Sequence, residues 1–200
     1  MGLLMGLGLA AGMYEAAITV HETMERHRAY GWARGYADSV GKPLLRIGVR
    51  RSFLEPPNGD VTLDIDPIVA SLPGGVIGDV RGIPFAAGEF GVTFCEHVLE
   101  HLHTAEDVAA AVAECVRVAD YAVFLCPSPY GIWSSFLCPS HRLRLWFDPP
   151  GNAMVVRRNI LRTGLGTPAP TAIDDTGRPL RGIGQLLVAH QTAPRVLWES

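Results

Sequence analysis

The chain lacks most of the features that would assign it at once. Its four cysteines, Cys95, Cys115, Cys126 and Cys138, form no Cys-x-x-Cys pair, and two of them lie inside apolar, strand-like runs. A disulfide framework is therefore not expected; the thiols read as small buried hydrophobes suited to a reducing compartment. No charge of one sign dominates either: 17 Lys and Arg face 20 Asp and Glu, a formal net charge of −3. That balance argues against a general polyanion binder, so nucleic acid is not an expected partner. No internal repeat is visible. No Lys or Arg precedes the long apolar run at the N-terminus, which makes a secretory signal peptide a poor fit.

What is abundant is apolar sequence, 48% of the residues. Much of it lies in Gly2 to Val20, where Glu15 is the only charge. Such a run approaches the ~20 residues that span a bilayer as a helix. Arg26, Arg28 and Arg34 follow it and would hold the C-terminal side in the cytoplasm. Gly6 stands where a myristoylation signal needs Ser or Thr. The expectation is an N-terminal helix over 1–40 acting as a membrane anchor, with the rest membrane-associated on the cytoplasmic side. The competing reading is a buried or oligomerising helix, because a charge such as Glu15 costs roughly 2.5–3.5 kcal/mol near a bilayer centre.

Gly41 and Pro43 stop that helix. Four β-rich runs follow: Leu44–Val49, Val61–Asp64, Val76–Asp79 and Gly91–Cys95, with a fifth at Tyr121–Cys126 before Pro127. Between the first two lies only Arg50 to Asp60, with Pro56, Pro57, Asn58 and Gly59 making a turn. A parallel crossover needs at least ~10–12 residues including its helix, so the first crossover is reduced to a turn. Thr104 and Asp107 form a capping pair, and Val108, Ala111, Val112, Cys115 and Val118 recur at helical spacing. Ile132 to Leu137 suggests a short helix, Leu143 to Phe147 a strand, Met154 to Arg157 an antiparallel strand, and Ile183 to His190 a short helix. Residues 41–160 thus read as an α/β domain, a trimmed Rossmann-like, mostly parallel sheet with flanking helices. Residues 161–200 read as a Pro/Gly-rich C-terminal tail, with Gly164 to Gly184 as loop.

Polar residues collect where these strands end, the place where parallel sheets carry their chemistry. Asp64-Ile65-Asp66-Pro67, Gly78-Asp79-Val80-Arg81-Gly82-Ile83-Pro84-Phe85, Glu89-Phe90-Gly91-Val92 and His97-Val98-Leu99-Glu100-His101-Leu102 stand in register. This order resembles class I S-adenosylmethionine-dependent methyltransferases of the type 11 kind, over roughly Leu44 to Phe147. The resemblance implies S-adenosylmethionine as cofactor, with Asp64 on its ribose, Asp79 on the adenine amino group, the Val80 amide on the ring edge, and Gly48 in the close-approach loop. In that loop the family pattern acid-x-Gly-x-Gly becomes Arg46-Ile47-Gly48-Val49-Arg50, so the loop is degenerate. Arg50 and Arg51 could instead favour an anionic ligand. Gly91 stands where the family usually has Asp.

Glu96, His97, Glu100 and His101 follow the fourth strand, and His141 could approach them. His97, Glu100, His101 and His141 are the candidate catalytic residues, facing the methyl acceptor as polar contacts or as a general base. Small-RNA 2′-O-methyltransferases are similar in using a Glu-x-x-Glu-His metal site, but here His97 takes the place of the first Glu, and no metal is expected. No Asn-Pro-Pro-Tyr or Asp-Pro-Pro-Tyr follows the fourth strand, against the nucleobase amino-methylating branch; Pro127-Ser128-Pro129-Tyr130 lies one strand later. The expected function is methyl transfer to a small-molecule or lipid acceptor. The alternative is a non-catalytic scaffold of the same fold at a membrane.

Overall fold

The computed structural model describes residues 2–128, 131–132, 138–148 and 153–158, together with the strands at 172–173, 179–180, 185–190 and 195–199. A 38-residue helix opens the chain, α1 (Gly2–Ser39). Then come β1 (Leu44–Ile47), β2 (Val61–Asp64), β3 (Gly75–Ile77), β4 (Phe90–Glu96), α2 (Ala105–Val118) and β5 (Ala119–Cys126). The later strands are β6 (Leu143–Asp148), β7 (Ala153–Arg158), β8 (Ala172–Ile173), β9 (Pro179–Leu180), β10 (Gln185–His190) and β11 (Arg195–Glu199). The main sheet runs β3-β2-β1-β4-β5-β10-β8-β9 and a second sheet runs β11-β7-β6. Strands β1 to β5 pair in parallel. The strand order reverses between β1 and β4, and at such a switch point the loops of an open α/β sheet part to leave a crevice. The fold is the expected mostly parallel, Rossmann-like sheet with flanking helices.

Among the described residues, one long helix packs on each face of the sheet. Helix α2 begins where the sequence places it, with the Thr104 hydroxyl accepting from Asp107 N at 3.1 Å. Its stripe of Val108, Ala111, Val112, Cys115 and Val118 is fully buried against Leu45, Ile47, Phe90, Cys95 and Phe124. The other face is covered by the second half of α1. There Ala29, Ala33 and Ala37, four residues apart, are buried against Leu44, Val92, Phe94, Val123 and Leu125. Tyr30 meets Phe94 edge-on at 5.3 Å, and Tyr36 meets Tyr121 at 4.7 Å. The helix that the sequence suggests as an anchor is therefore a structural layer of the domain.

This corrects the membrane expectation. Among the described residues no helix is long and apolar enough to cross a membrane. The physical reason begins inside the apolar run. A Glu15 carboxylate oxygen accepts from Ile132 N at 2.8 Å, and Glu22 accepts from Ser128 N at 2.6 Å. Both carboxylates are thus committed to the segment that follows β5. Met5, Leu7, Leu9 and Met13 on the first turns are exposed. The cytoplasmic-side assignment and the lipid acceptor rested on that anchor and lose their support with it.

The sequence elements elsewhere hold with two changes. Between β1 and β2 the chain forms no helix, as expected, and β6 pairs antiparallel with β7. Residues 185–190, expected as helix, form β10, antiparallel to β5. Within the stretch expected as loop, 172–173 and 179–180 are short strands, while β11 pairs in parallel with β7. The helix expected over Ile132 to Leu137 lies, apart from its first residue, outside the described residues.

Gly91 shows how tightly α1 is seated. A Cβ there would stand 2.9 Å from Ala37 Cα and 3.2 Å from Ala37 Cβ, so the helix backbone occupies the space that an Asp side chain would need. Gly91→Val should therefore push α1 off the sheet and cost about 1–3 kcal/mol, the usual scale of overpacking. Urea denaturation checks this; a variant as stable as the parent would show that α1 is not held where described.

Candidate functional site

The carboxyl ends of β1 to β4 open into one cleft of about 760 Å³. Its walls include Gly48, Asp64, Asp79, Val80, His97 and His101. Six of the eight sequence-derived candidates thus share a single depression; Glu100 and His141 lie behind it. Asp64 ends β2 in register with Ile77 of β3, and Asp79 follows two residues later. The two acids therefore sit on neighbouring parallel strands, which lie ~4.8 Å apart.

The cleft wall beside β1 is built by an arginine. Arg46 is 1% exposed in the middle of the sheet, where an unpaired cation would cost several kcal/mol. Its Nε donates to Gly48 O at 2.9 Å, and Nη1 donates to the carbonyls of Pro56 and Pro57. Nη2 pairs with Glu96 at 3.0 Å and with Glu55 at 3.3 Å. Glu96 is shared with Arg26 of α1 at 3.4 Å. Burial pushes the Glu96 carboxyl up while Arg46 and Arg26 pull it back, and burial pulls the Arg46 guanidinium down. The group that replaces the loop acid thus holds the whole β1–β2 connection. Gly48 follows at φ +93°, where a Cβ would meet Val98 Cγ2 at 3.1 Å.

Asp64 organises the same loop from the other side. Oδ2 accepts from Val49 N at 2.8 Å and Oδ1 from Asp66 N at 2.9 Å. A carboxylate offers about four acceptor directions, so half remain for a ligand. Asp79 is engaged differently: Arg81 donates to both its oxygens, closing to 2.6 Å, and reaches Asp107 at 2.7 Å. Those bonds hold the Asp79 carboxyl below its usual range. The pair expected to attract an anion is otherwise occupied. Arg50 donates to the carbonyls of Ser52 and Phe53, and Arg51 pairs with Asp66 at 2.8 Å.

Beyond β4 the chain turns sharply at His97, which has φ +52°. That left-handed turn aims the imidazole at α1, where Arg26 Nη2 lies 2.8 Å from Nε2. Burial and the Arg26 charge push the His97 pKa well down, so the ring is neutral. A 3-10 turn over Leu99–His101 then buries Glu100 to 1% exposure. Burial pushes its carboxyl up to about 8. His97 Nδ1 and His141 Nε2 stand 3.7 and 3.9 Å from Glu100 Oε1. His141 and His101 meet edge-on at 5.1 Å. The structure thus brings all four acceptor-side candidates together. Cys95 and Cys126 are buried with their thiol pKa values pushed up, Cys95 by the adjacent Cys115 thiol and by burial, Cys126 by burial, so both are inert packing groups.

Sequence reasoning missed Arg26 and the Arg46–Glu96 pair. Arg26 was read only as one of the positive charges that follow the apolar run, with no signal of a place in the cleft. Arg46 did carry one: a cation inside a buried parallel strand demands an acid nearby, and Glu96 ends the adjacent strand.

Two measurements probe this arrangement. Arg46→Met leaves Glu96 and Glu55 short of a partner and should cost about 3–5 kcal/mol, whereas adding Glu96→Leu should recover much of the loss. Equal stability of single and double variants in urea melts would contradict the pairing. For Glu100 the folded pKa stands above the unfolded 4.5, so its contribution is present below that pH and is lost as pH rises through about 8. Glu100→Gln should remove this slope and gain up to about 4–5 kcal/mol over the parent at pH 9 in EDTA. Parallel pH–stability curves would refute that environment.

The methyltransferase-domain family matches residues 63–122. No curated protein sequence matches the chain. Among solved structures, the N-methyltransferase NodS from Bradyrhizobium japonicum WM9 with S-adenosyl-L-homocysteine is similar at 17% identity and TM-score 0.36, covering 51% of this chain and 60% of that one. A second structure of NodS gives 14% identity and TM-score 0.38, covering 62% and 84%. A SAM-dependent methyltransferase from Thermotoga maritima gives 14% identity and TM-score 0.35, covering 52% and 54%. The chain spans 40%, 60% and 45% of the first three solved structures that it resembles. The family match runs from β2 into β5, so the likeness to methyltransferase domains rests on this core of the parallel sheet.

Proposed function

We propose that the cleft binds S-adenosylmethionine and that the protein transfers its methyl group to a small-molecule acceptor. The observation that carries this reading is the placement of Asp64 and Asp79 at the ends of adjacent parallel strands over one cleft. The residues fit the group: the cleft holds about 760 Å³, and the Asp64 oxygens keep acceptor directions open beyond Val49 N and Asp66 N. When bound, S-adenosylmethionine supplies a methyl group on a positively charged sulfur.

The chain's own residues do the holding. Asp64 would accept from ribose hydroxyls, a bond that a carboxylate makes strongly. Asp79 would accept from the adenine amino group while Arg81 keeps its contact with Asp107. The Val80 amide would meet the ring edge, and Gly48 would let the β1 loop approach the ligand closely. His97 and His101 would line the acceptor's side, with Glu100 and His141 packed behind them. Methyl transfer of this kind depends mainly on holding two reactants in line, for which no covalent nucleophile is needed.

A second reading, a non-catalytic scaffold of the same fold, is favoured by the arginines. Arg46 replaces the loop acid, and Arg81 already engages both oxygens of Asp79. Titration calorimetry with S-adenosylmethionine and S-adenosylhomocysteine separates the two. The enzyme reading expects saturable binding weakened about tenfold or more by Asp64→Ala, equivalent to at least ~1.4 kcal/mol. Absence of binding by the folded protein overturns it and supports the scaffold.

A further inference from the structure

We infer that the outer face of α1 binds a second copy of this chain, the two helices packing antiparallel across a two-fold axis. The first observation is an exposed stripe. Met5, Leu9, Met13, Val20 and Met24 are each between 60% and 74% exposed, and Ala16 among them is exposed too. At about 100° per residue these six share one side of the helix. The opposite side carries Ile18, Ala29, Ala33 and Ala37, all buried. One face of α1 thus serves its own domain, and the other presents a continuous apolar strip to water. Strips of that kind mark a contact surface.

The second observation is the helix at the start of the chain. Residues 5–14 are exposed all round, and at Gly6, Gly8 and Gly12 an added Cβ would meet nothing within 4 Å. Glycine is among the poorest helix formers, and a helix that is apolar on every side belongs in a buried setting. These turns need a partner to hold them.

The spacing says which partner. Positions 5, 9, 13, 16, 20 and 24 are separated by 4, 4, 3, 4 and 4, an order that reads the same from either end. A two-fold interface requires such self-complementarity, because each surface meets its own copy. With the axis beside Tyr14 and Glu15, Met5 faces the partner's Met24, Leu9 the partner's Val20, and Met13 the partner's Ala16. Steps of three and four are those of helices that interlock along their length, and a long side chain opposite a short one fills such a layer.

Charge and area agree with this occupant. Glu15 is the only charge before Glu22, and it turns away from the stripe to accept from Ile132 N at 2.8 Å. No like charges therefore meet across the axis. At ~100 Å² for each large apolar side chain, five from each copy bury about 1,000 Å², the least that a specific interface requires. A lipid surface fits less well. Interfacial helices carry Lys or Arg beside the apolar face, and none precedes Arg26. None of the stripe residues lines the cleft, so association and methyl transfer stand or fall separately.

The test is sedimentation velocity of the full chain over a range of concentrations. Expected is a monomer–dimer equilibrium with a dissociation constant on the order of micromolar. Met13→Glu and Val20→Glu, which put carboxylates into the seam, should each weaken it about 100-fold or more. Phe53→Glu, at an exposed residue of the β1–β2 connection, should leave it unchanged. For the direction, Leu9→Cys and Val20→Cys chains, each also carrying Cys138→Ser, are mixed under oxidised glutathione. The mixture should cross-link more than either variant alone. A chain that is monomeric throughout overturns the inference, as does a dimer that either folded Glu variant leaves intact. Cross-linking that is strongest in Leu9→Cys alone overturns the antiparallel arrangement and the inference with it. So does a monomer that binds phosphatidylcholine vesicles, since the stripe would then belong to lipid.

Discussion

Arg46 and Glu96 meet at 3.0 Å between neighbouring strands, with 1% and 4% of their surfaces exposed. Dehydrating two such ions costs several kcal/mol each, and their attraction offsets this only if their remaining hydrogen-bonding groups are also met. Arg46 meets that condition by binding three carbonyls of the β1–β2 connection. The connection has no helix to give it shape. The guanidinium takes that part, gathering residues 48, 56 and 57 around one planar fork. Everything on that side of the cleft follows from it: the turn at Gly48, the Val49 amide aimed at Asp64, and Glu55 folded back over the sheet. An Arg at the end of the first strand reads as damage to a glycine-rich loop. In three dimensions it is the device that makes a helix-free crossover hold its form.

Helix α1 ties the same charges to the other side of the sheet. Arg26 reaches Glu96 at 3.4 Å and sits against the His97 ring, while Glu22 of the previous turn holds Ser128 N. The helix thus supplies both an apolar layer, through Ala29, Ala33 and Ala37, and a charged wall of the cleft, through Arg26. Its position also explains Gly91, since no side chain fits between β4 and Ala37. Site and fold cannot be varied separately here. A change that lifts α1 from the sheet removes a cation from beside Glu96 and His97 together.

What the sequence made legible follows from how each signal arises. Helix α2 was readable because its cap and its stripe are local, and both were strong. The strand-end acids were readable because a parallel sheet sends consecutive strand ends to one edge. The role of α1 was not readable, because its buried stripe is alanine set among His, Arg and Tyr, and so carries little hydrophobic contrast. The more apolar first turns drew the reading toward a membrane, while the docking half looked like a polar continuation. The run from Ile183 to His190 failed for another reason. A short apolar segment has no decisive period, and only pairing with β5 makes it a strand. The Arg46–Glu96 pair spans fifty positions: Arg46 inside a buried strand demands an acid, but only the pairing of β1 with β4 says which.

The charges around the cleft nearly cancel in pairs. Arg46 and Arg26 face Glu96 and Glu55 at one end; Arg51 and Arg81 face Asp66, Asp79 and Asp107 at the other. Asp64 stands apart, spending its hydrogen bonds on two backbone amides rather than on a cation. A cleft so compensated exerts little net pull on a free ion, and its selectivity must come from shape and from the direction of single acceptors. That suits a ligand whose recognised parts are neutral hydroxyl and amino groups, as ribose and adenine are. It also makes Asp64 the residue on which discrimination would turn, because among the acids at the ends of β2 and β3 its carboxylate can accept a ligand hydroxyl without first giving up an arginine.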